Sequence, residues 1–313
     1  MPLRRFVNWL VMSVILFFVI SALIFVLVSL TPGDAARAIV GPTASQERYE
    51  QVRETLGLDL PLWQQYGRWI GGLLHGDLGD SVVTGVPVAQ VLTDRLEPTL
   101  ALIITTFVCA SILGIALGVI GAARPGVVGK MADIGSVVGS AVPSFWIGLV
   151  LATIFAVQLR LLPTSGYVPI VDGLGPWLSH MILPVVTLTI GGTALLAKQT
   201  RDAVAEQLAQ PYIVLLRSHG VSERRILWRH SLRGAAVPIV TILGMKMVGL
   251  TSGTVLIESV FVIPGFAGYA VSATLLHDIP VVQAITLIFT IVIIVTNLVV
   301  ELAYARLNVK ENA

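Results

Sequence analysis

Residues 6–30 read FVNWLVMSVILFFVISALIFVLVSL, a run without a single charged side chain. A helix of roughly 20 apolar residues, rising about 1.5 Å per residue, crosses the hydrocarbon core of a bilayer. Arg4 and Arg5 precede the run as basic residues precede a secretory signal. A cleavable apolar region, however, extends only about 7–15 residues. No small-residue cleavage site follows, so the run reads as a retained first helix. Comparable runs follow at 98–121, 134–157, 178–198, 235–260 and 281–303. The pattern predicts an all-α integral membrane protein that crosses about six times.

Composition agrees. Of 313 residues, 55% are hydrophobic and 12% charged, against about 25% charged in soluble domains. A net charge of +2 leaves no footprint for nucleic acid. Cys109 is the single cysteine, which excludes an internal disulfide framework and fits a small buried apolar residue. His75, His180, His219, His230 and His277 show no metal-ligand spacing, and no His-Glu-x-x-His pair occurs. The nearest approach to a phosphate-binding loop, Gly129-Lys130, is followed by Met131 and has Arg124 where the first glycine belongs. An intramembrane protease needs a nucleophile–base pair or paired aspartates at membrane depth. The spans hold none, and Asp133 lies at an edge. Ion-coupled carriers bury titratable groups near the midplane. Here the one ionisable residue well inside a span is Lys246, about three turns into the fifth, with Glu258 near the outer end of the same span. Transport through this chain therefore implies energy from another subunit.

Basic residues orient the chain. With the N-terminus inside, the cytoplasmic side receives Arg4, Arg5, Arg124, Lys130, Lys198, Arg201, Arg217, Arg224, Arg225, Arg229, Arg233, Arg306 and Lys310. The opposite side receives Arg37, Arg48, Arg53, Arg68, Arg95 and Arg160. Both termini are expected in the cytoplasm. Residues 1–30 then form the N-terminus and first helix, 31–97 an extracytoplasmic helical cap, and 98–313 a five-helix core with a cytoplasmic loop at 198–234. In the cap, Tyr49, Val52 and Leu56 have helical spacing, and Trp63, Tyr66 and Trp69 resemble aromatic anchors at the headgroup level. Pro143 and Pro184 inside the third and fourth spans suggest helices packed against protein. Gly114, Gly118, Gly121, Gly135, Gly139 and Gly148 permit close helix approach.

The loop at 198–234 is the informative one. Gly220 divides two short helices as a C′ glycine, and Ser222 is placed to cap the second. The first, around Pro211–Arg217, is expected to expose Tyr212, Ile213, Leu215 and Leu216, an apolar set that a free loop does not display. Docking into another protein accounts for it; a basic amphipathic loop on anionic headgroups is the alternative. Arg224, Arg225 and Arg229 fit both.

Tyr212, Arg217, Gly220, Ser222, His230, Leu232, Arg233, Ala235 and Pro238 fall in register with the cytoplasmic motif of ABC importer permeases. Pro32-Gly33-Asp34, Leu56-Gly57-Leu58-Asp59, Gly76-Asp77-Leu78-Gly79, Pro143-Ser144-Phe145, Glu258-Ser259-Val260-Phe261, Pro264-Gly265 and Asp278-Ile279-Pro280 extend the likeness along nearly the whole chain. The chain resembles the first permease subunit of the dipeptide/oligopeptide/nickel branch. Leu216, Ser218 and His219 depart from the usual Ala, Ala and Lys of that motif, and Lys246 stands where a neutral residue is commoner.

The resemblance implies a type I ABC importer permease fold in a bacterial cytoplasmic (inner) membrane. It implies a homologous second permease, two ATPase subunits that bind ATP and Mg, and an extracytoplasmic solute-binding protein. No cofactor or catalysis belongs to this chain. Coupling to the ATPases falls on Tyr212, Leu215, Leu216, Arg217, Gly220, Ser222, Glu223, Arg224 and Arg225. The pathway wall is assigned to Pro143, Ser144, Phe145, Trp146, Lys246 and Glu258. Di- or oligopeptides are the expected cargo, with nickel chelates or glutathione as alternatives; a stand-alone carrier or channel is the competing class.

Overall fold

The computed structural model describes residues 3–30, 35–41, 43–55, 57–124, 126, 135, 139 and 141–308. In chain order the helices are α1 (Leu3–Ser29), α2 (Ala35–Val40), α3 (Gln46–Thr55), α4 (Leu62–Leu74), α5 (Val88–Ala123) and α6 (Ser144–Leu151). They continue as α7 (Leu174–Leu208), α8 (Pro211–Ser218), α9 (Glu223–Arg225), α10 (Ala236–Val260), α11 (Phe266–Leu275) and α12 (Ile279–Asn308). Among the described residues the only extended pairing is an isolated bridge between Asp80 and Pro87.

Among the described residues five helices are long and apolar enough to cross a membrane: α1, α5, α7, α10 and α12. The third expected run behaves differently. It was read as one helix over 134–157, yet Pro143 caps α6 from outside with ψ 131° instead of kinking a continuous helix. A proline ring blocks the α-region for the residue before it, and helices start after such a residue more readily than they run through it. α6 passes into a π-helix at Ala152–Gln158, and the two together form a shorter apolar helix. Most of residues 127–140 lies outside the described residues. Pro184 does sit inside a helix, and so does Pro98, because α5 begins at Val88, ten residues before the expected start. α7 likewise runs to Leu208, well past the expected end at 198.

The described chain divides into two compact units. The first comprises Leu100–Ile263 and the end of α12. Its core gathers Leu102, Ile103, Met181, Leu183, Leu188, Leu250, Ile257 and Phe261, and a second cluster joins Val119, Val204, Ala235 and Ile239. In lipid no hydrophobic force drives one apolar helix onto another, so close packing at small residues has to hold them. A Cβ on Gly118 would sit 2.6 Å from Thr200 Cβ and 2.7 Å from the Ala197 carbonyl, and one on Gly114 would sit 2.8 Å from Leu196. α5 and α7 are therefore nearly in backbone contact, as the glycine pattern leads one to expect.

The second unit comprises Pro2–Thr99 and Pro264–Ile294. Val88, Leu92, Phe266, Val281, Ala284 and Ile285 fill its core. Thr99 Oγ1 accepts a hydrogen bond from the Phe266 amide at 3.0 Å. The segment between α1 and α5 is helical, as expected of a cap. Its aromatic residues do more than anchor, however. Tyr66 and Trp69 of α4 pack on Phe25 of α1, with ring centroids at 5.5 and 6.2 Å, and the Tyr66 hydroxyl meets Ser21 Oγ at 2.8 Å. Trp63 alone of the three is largely exposed. Asp278, buried ahead of α12, accepts hydrogen bonds from the Ser81 hydroxyl and, at 3.1 Å, from the Val82 amide. That pins the turn between α4 and α5.

Candidate functional site: the α8–α9 elbow

Between Leu208 and Ala236 the chain makes a compact elbow. α8 starts with Pro211 at its first position, where a missing N–H costs nothing. Among eight residues, five consecutive positions (212–216) are apolar or aromatic. Packing sorts them. Ile213 is completely buried, while Tyr212, Val214 and Leu215 are 42%, 61% and 59% exposed, and Leu216 is intermediate. Ile213 was expected outside and is instead the anchor of α8; Val214, which the sequence reading did not single out, is the most exposed of the set. The exposed knob is thus Tyr212, Val214 and Leu215.

Gly220 ends α8 with φ +76°. The Gly220 amide donates to the Arg217 carbonyl at 3.0 Å and the Val221 amide to the Leu216 carbonyl at 3.1 Å. This paired pattern closes a helix with a left-handed residue at C′. No atom lies within 4 Å of a Cβ built there, so backbone conformation alone demands glycine. Ser222 occupies the N-cap position of α9, but its side chain makes no capping hydrogen bond; its carbonyl accepts from the Ile226 amide at 3.0 Å.

The two arms are clamped across this turn. Arg217 Nε and Nη2 donate to the two Glu223 carboxylate oxygens at 2.6 and 3.1 Å. Such a two-pronged pair adds fixed geometry to charge. The hydrogen bond from Arg217 holds the Glu223 carboxyl below its ordinary range and, reciprocally, raises the guanidinium. After α9 a π-helical turn at Ile226–Ser231 buries Ile226 and Ser231, and both it and Leu232–Gly234 pack on α7. π-turns insert an extra residue and often mark functional segments. Trp228, exposed, forms a shallow recess with Ser222, Arg224 and Arg225. The elbow is therefore rooted by Ile213 and Ile226 and presents an apolar knob beside a basic, aromatic edge.

The residues assigned to the pathway lie apart from the elbow. Pro143, Ser144, Phe145 and Trp146 form the cap and first turn of α6, with both aromatic rings exposed. α6 packs on α7 and α10. Lys246 lies within α10, and Glu258 is buried near its C-terminal end. No group of three or more His, Cys, Asp or Glu that could hold a metal occurs among the described residues.

Residues 110–310 match the family described as binding-protein-dependent transport system inner membrane component, and residues 2–103 match its N-terminal counterpart. The chain is 38% identical over 307 residues to a probable peptide ABC transporter permease of Sinorhizobium fredii, covering 98% of this chain and 97% of that one. It is also 38% identical to the glutathione transport system permease protein of Escherichia coli K12, over 93% of each chain. Among solved structures, inward-facing forms of the MetNI methionine ABC transporter share the fold, with TM-scores of 0.51 and 0.53 at 16% and 14% identity. These cover 69% and 68% of this chain and 97% and 96% of the solved chains. This chain belongs to the family of membrane components of binding-protein-dependent ABC importers and has the type I importer permease fold. It is a multi-pass membrane subunit that works with ATPase and solute-binding partners.

Proposed function

We propose that the chain is one of two homologous permease subunits of a bacterial importer for di- or oligopeptides, driven by two ATPase subunits. The nucleotide and its Mg are held by those partners, and solute is delivered by an extracytoplasmic binding protein. The relatives named for peptide and glutathione transport support this class of cargo. The bias of basic residues, thirteen against six, supports a reading with both termini in the cytoplasm and the cap outside.

The observation that carries the coupling reading is the elbow itself. An exposed apolar knob of Tyr212, Val214 and Leu215 would be a liability on a free loop and is suited to a cleft in a partner protein. Tyr212, Leu215, Leu216, Arg217, Gly220, Ser222, Glu223, Arg224 and Arg225 then carry the ATPase contact. Pro143–Trp146, Lys246 and Glu258 line the route. The test uses the reconstituted importer with the double variant Leu215→Glu, Leu216→Glu. Insertion and ATP hydrolysis persist while solute import falls at least tenfold. Unchanged import per ATP refutes the coupling role. Import by the purified chain alone, without ATP, replaces this reading with that of a stand-alone carrier or channel.

A further inference from the structure

Lys246 follows Ala236 by ten residues and precedes Val260 by fourteen, which places it about 15 Å and about 21 Å from the ends of α10. An ammonium in the middle of an apolar span is costly unless water or an opposite charge meets it. Lys246 is half-buried and forms no hydrogen bond or ion pair with any described residue. Glu258, the other ionisable residue of α10, is buried about 18 Å further along and has interactions of its own.

The lysine nevertheless has a fitted seat. A Cβ on Gly192 of α7 would lie 2.5 Å from Lys246 Cε, 2.6 Å from Nζ and 3.4 Å from Ala110 Cβ of α5. Glycine at 192 is what lets the charged end rest on α7, at a point where α7 also comes close to Ala110 of α5. Any larger residue pushes it out. A lysine that only snorkelled would run to the membrane surface along its own helix. This one is held near mid-span against another helix.

We propose that Lys246 is the counter-charge for a carboxylate of the transported solute, biasing this permease toward solutes with an excess of carboxylates. This rests on the peptide-importer reading above. A lysine ammonium suits the task because it is a mobile point charge with three donors, able to follow a carboxylate without fixing it in one bidentate geometry.

The test uses the reconstituted complex with all its partners. In a Cys109→Ser background, Lys246→Cys reacts with a membrane-impermeant thiol reagent; absence of reaction with and without ATP refutes an aqueous route past this position. Import of tri-alanine is then compared with that of the same tripeptide bearing a central glutamate. Lys246→Met lowers the glutamyl-to-alanyl import ratio at least fivefold, Gly192→Ala lowers it too, and Lys246→Arg keeps it within twofold. An equal loss for both peptides refutes the charge-reading role. Failure of the Lys246→Met complex to retain its second permease shows that the ammonium pairs with that subunit, and also refutes it. A wild-type complex that imports neither peptide with ATP refutes the peptide-importer reading and this assignment with it. Normal wild-type import with an unchanged ratio in Lys246→Met refutes the lysine assignment alone.

Discussion

The turn at Gly220 offers a graded test of the elbow. Its φ of +76° lies in the left-handed region, which costs an ordinary L-residue roughly 1–2 kcal/mol. The space around a Cβ is open, so alanine adds no collision and bears only the conformational cost. At about 1.4 kcal/mol per tenfold, that lowers the population of the closed turn by roughly five- to thirtyfold relative to the open one. Asparagine tolerates the same conformation and should lose little. Proline fixes φ near −65° and removes the N–H that now reaches the Arg217 carbonyl at 3.0 Å, a combined cost of about 3 kcal/mol or more. The assay is solute imported per ATP hydrolysed in proteoliposomes, with assembly checked by co-purification of the ATPases. Glycine and asparagine should be nearly equal, alanine lower and proline close to zero. A Gly220→Pro complex that assembles and imports at the wild-type ratio would refute the claim that this turn transmits ATPase motion.

Other outcomes follow from the same physics. Val262 likewise ends α10 in the left-handed region, with φ +51° and the Ile263 amide on the Glu258 carbonyl at 2.9 Å, but it is β-branched. Val262→Gly should therefore stabilise the purified complex, by less than about 1 kcal/mol because glycine also frees the unfolded chain, seen as a higher thermal midpoint. Since the folded Glu223 carboxyl titrates below its ordinary range, the Arg217 clamp is fully present above pH ~4.3 and is lost only as pH falls through the lowered value. Amide exchange at Gly220 and Val221 should accordingly be pH-insensitive in protection between neutrality and pH 5, and Glu223→Gln should show the weakened protection at every pH. Gly118→Ala drives a Cβ onto the Ala197 carbonyl, which is backbone and cannot swing away; a loss of about 1–3 kcal/mol is expected in a thermal melt, whereas Gly67→Ala in α4, with open space around it, should not destabilise. Asp278→Ala leaves the Ser81 hydroxyl and Val82 amide without their partner, a cost of about 1–3 kcal/mol, visible as faster proteolysis within residues 80–87.

Much of this architecture could be read from spacing alone, and the failures have physical causes. Long, mainly apolar runs located α1, α10 and α12 because hydrocarbon imposes a length. The start of α5 and the end of α7 were misplaced because the residues beyond the apolar run, such as Asp94, Arg95 and Glu97 or Arg201 and Asp202, are polar yet still helical. Pro143 was read as lying within a span and is a helix boundary; a single proline carries either meaning until ψ of the residue is known. In α8 every position from 212 to 216 is apolar or aromatic, so no periodicity could tell the anchor Ile213 from the exposed Val214. Gly220 was legible, being a glycine between two helical patterns. The Arg217–Glu223 clamp was not, since it exists only once the turn folds the two arms together. Lys246 was visible as a charge in a span, but its seat depends on Gly192, fifty-four positions away in sequence.

The elbow joins α7 to α10 with hardly any slack: Ala209 and Gln210 alone separate Leu208 from Pro211, and α8 and α9 are rooted through Ile213 and Ile226. A loosely tethered loop would yield under a push, losing the displacement in its own dihedral angles. A short linkage with a hydrogen-bonded corner and an ionic brace has low compliance instead. On the proposed coupling role, displacement applied at Tyr212, Val214 and Leu215 would be passed on as a movement of α7 and α10 together, with the stroke set by how little this corner bends.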